Sequence, residues 1–558
     1  MALTKVLLGE LLVQRGVLTP AQLDQALALQ RDDPRYLGQV LLQLGWLSEE
    51  TLLSTLAEQL RIPYMSLRGV EVDAKLLERV PAKFASQYTL LPVGLQDGGL
   101  RVAVADPFDV RALDELKLLL GCEITPVWAA AREIQDAIQR HYGVGASAVQ
   151  RLLDVEPRRS AAPSRGAEDL SAQVNEASVV SFVNQLLLSA FRDRATDIHI
   201  EPFGDVLRVR QRVDGVMYEL PVPSDLGRLH QAIVSRIKVM AQLDIAERRL
   251  PQDGRIKVRL ETQDLDLRIS VLPTSFGESV EIRLLSSQML FSLEQLGLQG
   301  DQLDLLVQLI DKPHGIIFVT GPTGSGKTTT LYACLSRLNA PSVKILTIED
   351  PIEYQLTGIT QLQVHPKIGF SFAQGLRSML RHDPDIMMVG EVRDPETAEI
   401  TIRSALTGHL VFSTLHTNDA AGAVTRLLDM GVEPYLVASS VLGFIAQRLV
   451  RVVCSACREM RPPDPGLREE FGVAELPAAI AHGRGCAACN GTGYKGRTAI
   501  YEFLLLTEPV QSLVLKRASS HEIARLARQA NKMRTLRQDG WRKILEGITT
   551  PQEVLRVT

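Results

Sequence analysis

The run Gly321-Pro322-Thr323-Gly324-Ser325-Gly326-Lys327-Thr328 constrains this chain more than any other feature, because it matches the pattern G-x-x-x-x-G-K-[ST] in full. That pattern works in one local context. A buried strand must precede it and a helix must follow it, so that backbone N–H groups and a helix N-terminus face an anion. Gly315 to Val319 is an apolar run of strand length, and Thr329 to Leu338 has helical character. The residues therefore predict a nucleotide site in which Gly321 to Thr329 wrap the phosphates. Lys327 is expected to contact the β and γ phosphates, and Thr328 to hold Mg²⁺.

Hydrolysis needs an acid near the metal and the attacking water. Asp385-Ile386-Met387-Met388-Val389-Gly390-Glu391 supplies an apolar strand ending in a carboxylate, and Glu391 is the candidate for polarising the water. Such a run is a weak signal on its own. Glu349-Asp350-Pro351-Ile352-Glu353-Tyr354 follows the apolar strand Val343 to Ile348. Three carboxylates within five residues are poor for stability unless a cation or basic partner compensates them, and the cluster reads equally as an exposed acidic loop. His409 and His416 flank the apolar run Leu410 to Leu415, either as strand-end residues or as part of the site.

Cys454-Ser455-Ala456-Cys457 and Cys486-Ala487-Ala488-Cys489 are two Cys-x-x-Cys pairs, able to close a tetrahedral thiolate site for Zn²⁺. Gly483, Gly485, Gly491 and Gly493 permit the tight turns such ligands require. The 28 residues between the pairs exceed the usual spacing and are expected to form a projecting finger. Redox-active or unbound thiols are the alternative. Four protein ligands leave no open coordination position, so a metal here is structural. Cys122 and Cys334 are isolated and expected to be buried.

At 558 residues the chain is too long for one core and should be multidomain. Sliding the opening segment by 29 positions places Leu8, Gly9, Leu12, Gly16, Leu18, Leu23, Leu27 and Gln30 on Leu37, Gly38, Leu41, Gly45, Leu47, Leu52, Leu56 and Gln59. Each unit, 1–30 and 31–60, reads as a short helix closed by Gly16 or Gly45, then a second helix capped at Thr19 or Ser48. The repeat is a duplicated structural pair or a docking module. From about 90 to 142, apolar runs alternate with amphipathic stretches, finishing a first domain at 1–145. Residues 146–175, with Pro157 to Gly166, read as a flexible linker. Alternation over Leu207 to Val216, Arg255 to Leu260 and Leu265 to Val271 predicts a largely antiparallel sheet in a second, α+β domain at 176–290, and the nucleotide domain fills 291–558 with the finger at 450–500. No stretch reaches the roughly 18 to 20 apolar residues a bilayer span needs, and Lys5 and Glu10 interrupt any signal-peptide core. A cytoplasmic chain is expected.

With four boxes in order, the chain from about 176 onward resembles the secretion ATPase superfamily that drives type II secretion and type IV pilus assembly. Gly321 to Thr328 is the P-loop, Glu349 to Tyr354 resembles the family's Asp box, Asp383 to Glu391 its Walker B, and Gly408-His409 through Leu415-His416-Thr417-Asn418 its His box. The resemblance implies a multidomain α/β protein with a P-loop (RecA-like) ATPase core, using ATP and Mg²⁺ in a hexameric ring. It makes Glu349, Glu353, Glu391 and His416 nucleotide-site residues. It also implies that Arg268, Arg283, Arg377 and Arg381 reach the phosphates, some from across a subunit boundary.

Implied partners are a homohexamer, the cytoplasmic domain of a bitopic inner-membrane protein bound by the first domain, and a polytopic platform protein. The chain would then sit peripherally on the bacterial inner membrane. The N-terminal domain and four-cysteine finger resemble the assembly and secretion branches, and the segment Gly493 to Thr558 favours type II secretion, with pseudopilus assembly and export of folded periplasmic proteins, over pilus extension. A nucleic-acid translocase is the alternative from another class, and a nucleotide-sensing scaffold a third. The balance of 61 basic against 65 acidic residues, net −4, and the lack of a basic-aromatic stretch speak against nucleic acid. The N-terminal repeat resembles a duplicated cyclic di-GMP module in which an arginine commonly precedes the Leu-Gly pair. Leu7 and Tyr36 stand there instead, so weak or no dinucleotide binding is expected.

Overall fold

The 29-residue repeat becomes a repeat in space. The computed structural model describes residues 8–30, 36–60, 62–96, 99–143, 168–260, 263–286, 292–530 and 533–558. Helices Leu8–Gln14 and Pro20–Gln30 are followed by Leu37–Gln43 and Glu49–Leu60. Gly16 and Gly45 end the first helix of each pair at φ 68° and 70°, a backbone region that glycine enters without a Cβ clash. Thr19 and Ser48 cap the second helix of each pair, accepting from the N–H of Gln22 and Thr51. A Cβ on Gly9 would stand 2.5 Å from Leu23, and one on Gly38 would stand 2.9 Å from Leu52. Each Leu-Gly pair therefore exists so that its helix can close on the leucine of the next. Leu12, Leu18, Leu41 and Leu47 form the small shared core.

Strands β1 (Leu90–Gln96), β2 (Gly99–Val104) and β3 (Ile124–Trp128) form one sheet, antiparallel then parallel, covered by helices Val110–Leu120 and Ala131–Tyr142. Cys122 is half-buried here rather than buried. Most of the expected linker lies outside the described residues, and its last part, from Glu168, is already helix, in the 25-residue element Glu168–Arg192. Six strands follow: β4 (Ala195–Phe203), β5 (Val206–Val213), β6 (Val216–Glu219), β7 (Gln252–Leu260), β8 (Gln263–Thr274) and β9 (Gly277–Ser286). Their order is β6-β5-β4-β9-β8-β7, with β6-β5-β4-β9 antiparallel. One face carries Ile198, Ile200, Val209, Leu267, Ile269 and Ile282, all buried, and the other carries charged pairs such as Arg210–Glu201. That period of two is what sequence alternation encodes.

The chain divides into two compact units, the second comprising Leu285–Thr558 with the short stretch Gln263–Leu265. In this second unit β10 (Gly315–Thr320), β11 (Ile345–Glu349), β12 (Thr360–Gln363), β13 (Ile386–Val389), β14 (Leu410–Leu415) and β15 (Val441–Val453) run parallel, in the order β12-β11-β13-β14-β10-β15. The hairpin β16 (Arg458–Arg461) and β17 (Ile480–Gly483) forms a separate two-stranded sheet. Strand β18 (Tyr494–Leu505) adds antiparallel at the edge of β15. Strands β10, β11, β13 and β14 are buried along their whole length, as a parallel sheet with helices on both faces requires. No helix among the described residues is long and apolar enough to cross a membrane.

The C-terminal helix Pro551–Val557 is tied to β15 by Glu553, which is 2% exposed. Burial opposes its ionisation, yet bonds from Arg451 (2.7 Å) and Arg556 (2.8 Å) hold its carboxyl down at about 2. A folded-state value below the unfolded one, about 4.3 for glutamate, adds stability above that pH and loses it as the pH falls through the folded value. Glu553→Gln is therefore expected to cost about 3 kcal/mol at pH 7. In denaturation measured at several pH values, its gap to wild type should close as the pH falls from about 4.3 toward 2.

Candidate nucleotide site and four-cysteine centre

The phosphate loop leaves β10 and enters the helix Lys327–Leu338. Gly324 and Gly326 turn at φ 79° and 86°, and a Cβ on Gly321 would stand 2.6 Å from the Gln447 carbonyl oxygen of β15, so the first glycine is demanded by close approach. Lys327 is buried, its Nζ donating to the carbonyls of Gly321 (2.8 Å) and Pro322 (3.1 Å). Burial pushes this amine down to about 8, while the charge of Glu391 works in the other direction and that of Arg448 adds to the fall.

Glu391 stands two residues beyond β13, and its backbone is held on both sides. The N–H of Gly390 donates to Ile348 at 2.8 Å, Thr414 Oγ1 donates to the Gly390 carbonyl at 2.7 Å, and the N–H of Val392 donates to Thr414 at 3.1 Å. The Glu391 side chain is 12% exposed; its Oε2 lies 2.7 Å from Arg393 Nε and 3.2 Å from His416 Nε2. His416 sits just past β14, where Thr417 exchanges hydrogen bonds with Thr320 of β10 (2.7 and 2.9 Å). Sheet order thus brings Lys327, Glu391 and His416, far apart in sequence, to the carboxyl ends of neighbouring strands. A carboxylate so placed can orient a water, with the imidazole of His416 within hydrogen-bond reach beside it.

Glu349 ends β11 and is 3% exposed. Thr347 Oγ1 (2.7 Å), Gln361 Nε2 (3.0 Å) and Tyr332 Oη all donate to it. Burial raises its pKa, and those donors oppose the rise. The carboxylate cluster is thus compensated at Glu349 by hydrogen bonds from its own sheet and from the phosphate-loop helix, and Glu353 stays half-buried in the segment that follows.

Arg283, Arg377 and Arg381 have bonding partners of their own. Arg377, on the helix Phe372–Met379, pairs with Glu396 at 2.6 Å, and Arg381 donates to the Arg377 carbonyl (2.8 Å) and Ser378 Oγ (3.3 Å); both are exposed. Arg268 is on β8 and Arg283 on β9 of the first unit, Arg283 bound to Asp197 (2.8 Å) and Glu281 (3.0 Å). Sequence reasoning missed Tyr332, Gln361, Gln447 and Arg448. Only Tyr332 carried a local signal, standing one helical turn beyond Thr328.

In the second centre, Sγ atoms of Cys454–Cys486, Cys457–Cys489 and Cys486–Cys489 lie 3.9, 3.9 and 3.7 Å apart. Metal–sulfur bonds of about 2.3 Å in a tetrahedron require S···S edges of about 3.8 Å, so the donor set fits Zn²⁺. All four Sγ atoms lie within 4.8 Å of one another. The N–H groups of Gly485 (3.3 Å to Cys457), Cys486 and Gly493 (both 3.2 Å to Cys489) point at sulfur, as they do toward metal-bound thiolates. The 28-residue arm does not simply project. Its helix Leu467–Phe471 buries Leu467 and Phe471 in the main core, with the Phe471 ring 4.8 Å from that of Trp541.

A phosphate loop inside a parallel sheet, with an acid and a histidine at neighbouring strand ends, defines a P-loop nucleotide-binding protein. Residues 172–556 match the family described as Type II/IV secretion system protein, and the chain belongs to that family. Residues 60–148 match the MshEN domain. The Type II secretion system protein E of Xanthomonas campestris pv. campestris is 46% identical over 557 residues, 98% of each chain. The type IV pilus assembly ATPase PilB of Myxococcus xanthus is 42% identical over 563 residues, again 98% of each. The X-ray structure of the Legionella pneumophila ATPase DotB is 23% identical and covers 67% of this chain and 95% of its own, with a TM-score of 0.49.

Proposed function

We propose that this chain is the ATP-hydrolysing motor of a type II secretion system, powering pseudopilus assembly at the inner membrane. The observation that carries this reading is the convergence of Lys327, Glu391 and His416 at the strand ends of a chain similar, over nearly its whole length, to a type II secretion protein E. ATP lies on Gly321 to Thr329 with Mg²⁺ on Thr328. Glu391 orients the water, and Glu349 and Glu353 complete the acidic side. Arg268, Arg283, Arg377 and Arg381 reach phosphate oxygens in a homohexamer, where Arg283, Arg377 and Arg381 give up the partners they hold here. Zn²⁺ on the four cysteines is structural. The bounds 1–145, 146–175, 176–290 and 291–558 serve as the working domains.

In this reading the first domain docks a bitopic membrane protein, a polytopic platform protein receives the stroke, and the motor stays cytoplasmic and peripheral. Similarity to a pilus assembly ATPase supports extension of a pilus as the second reading. ATP turnover by the full chain should rise with the cytoplasmic domain of the membrane partner and stay flat with DNA; stimulation by DNA instead would favour a translocase. Tyr36, 81% exposed, holds the place before Leu37-Gly38 where an arginine is wanted, so calorimetry should show weak or no cyclic di-GMP binding to the full chain. Leu7 lies outside the described residues.

A further inference from the structure

A buried cation that no sequence motif singles out lies against the phosphate loop. Arg448, on β15 next to β10, is 7% exposed. Its Nη1 lies 3.0 Å from where a Cβ on Gly321 would stand and donates to the Gln447 carbonyl at 3.1 Å. Its Nη2 donates to the Asn418 carbonyl at 2.8 Å, two residues beyond His416. A guanidinium presents its donors in a rigid plane, so one side chain sets the distance between these backbone segments. Gln447 adds a second grip: its Oε1 accepts from Thr330 at 2.8 Å, and its Nε2 lies 2.8 Å from where a Cβ on Gly326 would stand. The pair Gln447-Arg448 thus packs close against Gly321 and Gly326, and Gln447 holds the phosphate-loop helix at Thr330.

A buried charge is costly unless it is compensated. Arg448 is held by carbonyl oxygens, while the carboxylates whose charge it feels, Asp419 and Glu502, accept bonds from other groups. Asp419 accepts the N–H of Gly422 at 2.6 Å, and Glu502 those of Ala420 (2.9 Å) and Leu536 (3.4 Å). A cation kept under such conditions beside a phosphate loop gains its counter-charge when a polyanion enters. Glu502 also links this region to the start of the helix Leu536–Leu545.

We infer that Arg448 is a positioning residue that ties Asn418 to β15 at Gln447, whose side chain holds Thr330 of the phosphate-loop helix, so that the phosphate loop and the loop carrying His416 respond to bound nucleotide as one body. The inference rests on the ATPase reading. The test uses the full chain with Arg448→Lys and Arg448→Gln, measuring steady-state ATP turnover and, separately, binding of a fluorescent ATP analogue. Lysine keeps the charge but cannot hold two carbonyls at a fixed spacing. Arg448→Lys should keep nucleotide affinity within about threefold while kcat falls about tenfold, the scale of one charge-assisted hydrogen bond. Arg448→Gln should lose about tenfold or more in both.

An Arg448→Lys protein with kcat and affinity both within about twofold of wild type would overturn the inference, since one bond of this class is worth about tenfold. So would a kcat loss that vanishes on cooling in step with a lowered Tm. If Arg448→Gln fails to fold, the lysine variant decides. Nucleotide binding without turnover in the wild type would sink the ATPase reading instead, and the binding arm would then decide on Arg448: unchanged affinity in Arg448→Gln overturns it, a loss supports it.

Discussion

Glu391→Gln is expected to lower kcat for ATP by about 10²- to 10⁴-fold while leaving nucleotide affinity within a few-fold, the range over which a positioned general base contributes. The side chain is held for this task. Backbone bonds on both sides of it fix its exit from β13, and with 12% of its surface exposed its charge is little diluted by water. Glutamine keeps the shape and can still accept from Arg393 and His416, so the sheet ends should stay in register. What it cannot do is draw a proton from water. In the proposed site binding falls to Lys327 and the loop N–H groups, which the substitution does not touch. A variant that loses affinity and turnover equally would show instead that Glu391 supports the loop's structure.

Removing zinc should have the next largest effect. The full chain is expected to carry one zinc per chain by elemental analysis, and Cys489→Ser to abolish it, because Cys489 accepts two backbone N–H groups and closes the thiolate set. Burial works against its thiolate, yet the N–H groups of Cys486 and Gly493 and the neighbouring thiols hold its pKa at about 7. In isolated peptides such a site is worth about 10–16 kcal/mol of apparent folding free energy. Here Leu467 and Phe471 are anchored in the main core, so only part of that sum should appear, as a lowered Tm of the second unit. The local reporter is Trp541. Loss of the arm removes Phe471 from its face, and the emission should shift to the red. A fully active, zinc-free protein with an unchanged spectrum would contradict the structural role.

What was legible in the sequence is what short-range pattern encodes. A phosphate loop needs a strand before it and a helix after it, and both lie within about twenty residues of Gly321. The helical repeat was equally plain, since Gly9 on Leu23 and Gly38 on Leu52 follow one spacing. Arg448 was not legible, because its role depends on β15 lying beside β10, a neighbourhood set by sheet order across more than a hundred residues. The fate of Glu349 was half legible. Its need for a compensating partner could be read from the cluster, with an exposed loop as the alternative, but the partners found, Tyr332 and Gln361, come from a helix and a strand that only folding brings near. The arm between the cysteine pairs carried a signal that went unread: Leu467 and Phe471, four apart, are the apolar face of a helix that must be covered. For Arg283, Arg377 and Arg381, the partners seen in one chain are carboxylates and a carbonyl, and an arginine that acts on phosphate is worth roughly 10³ to 10⁵ in rate only once a nucleotide is engaged.

The most direct test replaces the chromosomal copy with Glu391→Gln and measures the amount of folded protein exported from the periplasm, with the level of the variant chain checked in the same cells. The account predicts that export stops although the chain is present at its normal level. Export at the wild-type rate would contradict it, and would make the chain a nucleotide-sensing scaffold rather than a motor.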